Sequence, residues 1–233
     1  MSIAEKFEVI ADEVYEKGKE YIWEVVQQKG NRKDYGMAFY MWDMEYIRPK
    51  YKVIPTDPYS GNQTFCKSTI KKAEKEYFDF SQKPSTSNSQ SGWYYMFSTC
   101  TKLEEIEDIG MQAMNNYSYC FAWCGKLHTI AVLRCDENTT WSNAFNSCYS
   151  LKNVTIEGVI GKSGFNVSAC TKLSGASIVS IIEALSTATS GLSVTLSQTA
   201  VDNMVFPITG NKGTYNSWSD LEQTKTNWTI SLV

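Results

Sequence analysis

The strongest constraint in this sequence is a period. Three segments align at a spacing of 24 residues: Trp93, Phe97, Cys100, Leu103 and Ile106; Tyr117, Phe121, Cys124, Leu127 and Ile130; Trp141, Phe145, Cys148, Leu151 and Val154. A degenerate fourth copy, Val167, Cys170, Leu173 and Ala176, follows after 22. A period of this size means stacked supersecondary units, each too small to bury its own apolar face. The steps of three from Phe to Leu suit a helical or 3₁₀ turn. The alternation after Leu, as in Ile130/Val132 and Val154/Ile156, suits a short strand. Cysteine is small and apolar, so Cys100, Cys124, Cys148 and Cys170 are expected as a buried column beside the Phe and Leu positions, including Leu173.

The flanks of the repeat divide the chain. Residues 1–34 read as an N-terminal helix for attachment or oligomerisation. Ile3, Phe7, Ile10 and Val14 share a helical face, with Ser2 and Glu5 as a capping box, although Lys17 and Gly18 break the pattern. Residues 35–92 form an aromatic-rich connection. Pro49 argues against a continuous helix there, and residues 81–92 read as an exposed loop. Residues 93–176 hold the repeats and 177–233 a cap. In the last part, Ser174 or Ser177 starts a helix through Ile178, Ile181, Ile182 and Leu185, with strands at 192–196 and 228–232, a loop at 207–217 and a short helix at 218–225. The expected class is α/β: a short leucine-rich-repeat-like solenoid with an N-terminal helix and a mixed α/β C-terminal cap.

Composition narrows the chemistry. With 22 basic and 25 acidic residues, the net charge of −3 disfavours a nucleic-acid-coating protein. No apolar run is long enough to cross a membrane, so no membrane insertion is expected. The start of the chain lacks a signal peptide, and seven cysteines make an odd count, which together suggest synthesis in a reducing cytoplasm. A single histidine leaves little room for His-based catalysis. The one candidate metal set is Cys120, Cys124 and His128, but Cys124 already has a core role, so neither a metal nor a cofactor is expected. Glu104, Glu105, Glu107 and Asp108 read as a solvated acidic edge rather than a glycosidase pair. Lys67, Lys71, Lys72 and Lys75 read as a solvated basic face. No enzyme is expected. The best binding candidates are aromatics lying between or beyond the core positions: Tyr94, Tyr95, Tyr119, Tyr149, Tyr215 and Trp218.

The segments FSTCTKLEEI, FAWCGKLHTI and FNSCYSLKNV resemble BspA-like leucine-rich repeats. The tail from CTKLSGASIVSIIEAL to TNWTISLV resembles a module that follows such repeats in phage and prophage virion proteins. The opening MSIAEKFEVIADEVYEKGK is similar to the first helix of phage minor structural proteins. The resemblance implies a non-enzymatic tail-tip, baseplate or fibre protein, assembled in the bacterial cytoplasm and residing in the virion. Its implied partners are other virion proteins, met through the N-terminal helix, and a host surface glycan or protein, with a homotrimer as the expected oligomer. A cell-associated adhesin of the same repeat family is the alternative, and a surface polysaccharide hydrolase a distant third.

Overall fold

The computed structural model describes residues 7–11, 21–28, 39–41, 43, 45–49, 52–54, 61–82 and 92–233. The N-terminal segments are strands. β1 (Phe7–Ala11) pairs antiparallel with β2 (Tyr21–Gln28), and β2 pairs parallel with β3 (Ile47–Pro49). The expected N-terminal helix is therefore corrected. FEVIA and YIWEVVQQ are rich in β-branched and aromatic residues, which favour strands, and Lys17 and Gly18, the residues that break the helical pattern, lie between the two strands.

Four parallel strands follow: β4 (Lys72–Ala73), β5 (Glu105–Ile106), β6 (Thr129–Cys135) and β7 (Asn153–Gly158). Glu105 pairs with Thr129 and Thr129 with Asn153, so the 24-residue period appears as strand register. A register shift between Ile130 and Leu133 changes the expected alternation in β6: Leu133 and Cys135 are buried in place of Val132. Gly158 closes β7 at φ 110°, where an added Cβ would lie 1.9 Å from the Cys135 carbonyl oxygen, so only glycine fits.

Before each strand the chain makes a turn, and the turns stack. In the second repeat, Tyr117, Tyr119, Phe121 and Trp123 donate backbone N–H groups to the carbonyls of Thr140, Ser142, Ala144 and Asn146. In the first repeat, Trp93, Tyr95, Phe97 and Thr99 donate in the same way to Asn116, Ser118, Cys120 and Ala122. Left-handed backbone at two places per turn makes this possible: Tyr95 and Thr99, Tyr119 and Trp123, Asn143 and Ser147 all have φ between 53° and 62°. Such values are uncommon for residues other than glycine, and their recurrence shows that the ladder, not any one side chain, imposes them.

Inside the turns the phenylalanines stack from Phe39 through Phe65, Phe97 and Phe121 to Phe145, and Phe165 packs on the last at a tilt of 53°, with centroids 5.0–6.2 Å apart. The expected repeat-core residues are buried throughout. Three thiols bond to the preceding layer: Cys100 Sγ to the Phe65 carbonyl at 2.9 Å, Cys124 Sγ to Phe97 at 3.0 Å and Cys148 Sγ to Phe121 at 3.0 Å. Phe65 belongs to a layer that the sequence hides. Gln63 and Lys67 share the left-handed φ, and Ser68 stands where a cysteine would, 3.6 Å from Cys100 Sγ.

The last third is built differently. β8 (Phe165–Asn166), β9 (Leu192–Leu196) and β12 (Trp228–Leu232) form a parallel sheet in the order β12-β9-β8. Helix α1 (Gly175–Ala184) is capped by Ser174, whose side chain accepts from the Ser177 N–H. Ala176 is exposed at the start of that helix, so the fourth copy ends before it completes. Ser177 Oγ and Ser180 Oγ accept the N–H groups of Val154 and Ile156 at 2.9 and 2.8 Å. The helix thus satisfies the open edge of β7, which would otherwise invite another strand. Helices α2 (Gln198–Asp202) and α3 (Trp218–Glu222) are single turns. The expected loop at 207–217 contains a small hairpin, β10 (Ile208–Thr209) with β11 (Thr214–Tyr215).

The expected class is thereby corrected. The described residues form a mixed α/β protein with parallel sheets and three α-helices, not a leucine-rich-repeat-like solenoid with an N-terminal helix and a cap. The turns between successive strands carry alternating left-handed backbone in place of helix, and that backbone cannot continue into an α-helix.

Candidate functional site

A second aromatic column lies outside the turns. Tyr94 meets Tyr95 edge-on at 4.5 Å, Tyr95 stacks on Tyr119 at 4.7 Å, and Tyr119 stacks on Trp123 at 5.9 Å. The three tyrosines are half-buried and Trp123 is 41% exposed. The repeat creates the column: Tyr95 and Tyr119 occupy one position of successive turns, and Trp123 lies four residues on from Tyr119. The next equivalents are Asn143 and Ser147, so the aromatic wall stops at the third repeat.

The hydrogen-bond ladder stops there too. Asn143, Phe145 and Ser147 hold the positions of Tyr119, Phe121 and Trp123, yet their N–H groups find no acceptor among the described residues. The cause is the shortened fourth copy. After a 22-residue step the chain enters β8, and Val167 donates to Thr195 of β9. Phe165 packs on Trp141 and Phe145, but among the described residues no backbone hydrogen bond joins residues 164–169 to the third turn. A groove of about 420 Å³ opens between them, lined by Ser142, Asn143, Phe145, Asn146, Asn166 and Thr195 among others, with no charged side chain. Asn146 and Ser142 join groove to wall, since their carbonyls accept the N–H groups of Trp123 and Tyr119 at 2.7 and 2.9 Å. In the same repeat the buried Trp141 Nε1 lacks an acceptor among the described residues, whereas Trp93 Nε1 reaches the Gln112 carbonyl at 2.8 Å.

Of the other aromatics singled out in the sequence, Tyr149 is 58% exposed and donates to Ser147 Oγ at 3.1 Å. Trp218 is half-buried against the core. Tyr215 is not a surface residue. It is 7% exposed, and its hydroxyl donates to Glu183 Oε1 at 3.0 Å. Sequence reasoning missed Trp123 and the asparagines Asn143, Asn146 and Asn166. The available signal was the non-core positions that recur with the period, Thr99, Trp123 and Ser147.

The other chemical candidates are taken up in packing and pairing. Cys120 and Cys124 are fully buried while His128 is exposed, so the three do not converge. No group of three potential metal ligands occurs among the described residues. Burial pushes the thiols of Cys100, Cys135 and Cys148 up to about 12, far from nucleophilic readiness. A larger groove of about 770 Å³ is lined by Glu107, Asp108, Arg134, Lys75 and Asp79 among others. Three of its five carboxylates, Glu74, Glu107 and Asp108, are ion-paired. Arg134 holds Asp108 with two contacts of 2.7 Å, and Lys72 bridges Glu105 and Glu107 at 3.2 and 2.7 Å. Those cations hold the Asp108 and Glu107 carboxyls below their usual range, the opposite of what a general acid requires. Lys71 is paired with Glu45, and Lys67 lies over the Tyr40 ring. No helix among the described residues is long and apolar enough to cross a membrane. Neither a family model, nor a curated protein, nor a solved structure matches this chain.

Proposed function

We propose that this chain is a non-enzymatic recognition protein of a phage or prophage particle, with other virion proteins as partners and a host surface glycan or protein as target. The observation that carries the recognition role is the outer aromatic column Tyr94–Tyr95–Tyr119–Trp123, which ends in Trp123, 41% exposed. Buried columns already hold the turns together, so this row is additional apolar surface of the kind concentrated in binding hot spots. The virion role rests on the resemblance of the repeats and the tail sequence. Adhesion works through multiplicity: weak sites on several copies combine by effective concentration.

Two measurements test this. Proteomics on purified particles from an induced lysogen should find the chain at a fixed ratio to capsid and tail proteins. Recovery in the cell envelope alone would transfer the proposal to a cell adhesin. Adherence of the purified protein to host cells should fall about tenfold in Trp123→Ala, a loss of roughly 1.4 kcal/mol. Unchanged adherence would remove the aromatic column from the recognition surface.

A further inference from the structure

Resting on that recognition reading, we infer that the groove between the third turn and residues 164–169 is a binding site for an uncharged oligosaccharide, with Trp123 and Tyr119 as its aromatic wall. Three independent features converge on this chemistry. The first is the row of backbone N–H groups at Asn143, Phe145 and Ser147, left without acceptors where the ladder ends. Phe145 is buried and Ser147 half-buried, while Asn143 is exposed. Shielded donors need partners, and a ligand rich in hydroxyl and ring oxygens supplies them. The second is the lining. Amides and hydroxyls, from Asn143, Asn146, Asn166 and Thr195, both donate and accept, as sugar hydroxyls do. No lysine or arginine is present to favour a phosphate, sulfate or carboxylate, and no carboxylate to favour a cation. The third is Trp123, 41% exposed, whose backbone N–H bonds to the carbonyl of Asn146, a residue of the groove lining. A flat apolar face next to a polar, uncharged cleft matches a sugar ring, which has one C–H face and a polar rim.

The site also explains why the repeat is irregular there. A regular fourth turn would complete the ladder and fill the groove. The 22-residue step into β8 keeps it open.

The test uses the full chain and calorimetric titration with short neutral gluco-, galacto- and rhamno-oligosaccharides, with heparin fragments and oligogalacturonate as charged probes. At least one neutral probe should bind. Ser142→Trp, which blocks the groove from an exposed position and leaves every aromatic in place, should weaken that probe about tenfold or more, as should Trp123→Ala, with unchanged thermal unfolding in both. Binding of charged probes alone, or of neutral probes equally well by Ser142→Trp, would overturn the assignment. Host-cell adherence separates the two levels. If Trp123→Ala loses adherence while no neutral sugar binds and protease treatment of the cells abolishes attachment, the recognition reading stands with a protein target and the sugar site falls. If Trp123→Ala adheres normally, the reading itself falls.

Discussion

The stacked turns of 93–151 and the region 175–233 solve the same problem in different ways. In the first, every layer repeats one arrangement: a Phe on a Phe, a thiol on the carbonyl of the layer before, and a backbone ladder between turns. No single contact is unique, and each layer's stability depends on its neighbours. In the second, one buried residue organises the packing. Glu183, 4% exposed, accepts the Tyr215 hydroxyl at 3.0 Å and the N–H groups of Asn211 and Lys212 at 2.8 Å, fastening the β10–β11 hairpin to α1. Lys225, 3% exposed, donates its ammonium to the carbonyl of Leu185, and burial holds that ammonium's pKa below its ordinary value. Repetition tolerates variation at any one contact. A clamp concentrates stability in one place and is lost with it.

The largest expected effect is at a layer core. Leu127→Asp buries an unpaired charge at a fully buried position between two layers, and circular dichroism should show loss of the cooperative unfolding transition. A native-like melt would mean that the layers do not depend on one another. Next is the clamp. Glu183→Ala strands one buried hydroxyl and two part-buried N–H groups and should lower stability by about 2–4 kcal/mol in urea unfolding. Glu183→Gln, which keeps one acceptor oxygen, should fall between it and wild type. No loss in either variant would show that the carboxylate does not hold the hairpin.

The junction of the two regions should give a smaller effect. Ser177→Ala with Ser180→Ala leaves the Val154 and Ile156 N–H groups without their hydroxyl acceptors, for about 2–4 kcal/mol in total. It also exposes the β7 edge, so light scattering should detect association. An unchanged oligomeric state would show that the edge is guarded by other means. The smallest effect is electrostatic. Asp108, held below its usual range by Arg134, binds its proton more readily when unfolded. The pair's stabilisation is therefore present above about pH 3.8, the ordinary aspartate value, and is lost as pH falls through the depressed one. Arg134→Gln should flatten this acid slope. Because Asp108 is well exposed, the change should be slight, and a steep slope in the variant would place the acid sensitivity elsewhere.

The repeat was legible because its information is local: Phe121, Cys124 and Leu127 recur at the period and are buried as a set. Helix α1 was legible through its Ser174 cap and apolar spacing, as were the strands at 192–196 and 228–232. The N-terminal segment was not. Ile3, Phe7, Ile10 and Val14 fit a helical face, but Phe7–Ala11 pairs with Tyr21–Gln28, and periodicity carries no record of a distant partner strand. The layer around Phe65 was hidden because 32 residues separate it from Phe97, and Ser68 replaces the marker cysteine. Tyr215 read as a surface aromatic because nothing near it in sequence announces Glu183, 32 residues away.

The sequence by itself determined the period, the identity of the residues that fill each layer, and the placement of Tyr95 and Tyr119 in register. These follow from side-chain size and spacing along one chain. The tertiary structure alone decided the class of fold and the direction of the left-handed turns. It also decided that the ladder ends at Asn143, Phe145 and Ser147 beside an open, uncharged groove. Those outcomes depend on which backbone groups meet across space, and a hydrogen bond left unmade is visible only once every other partner has been placed.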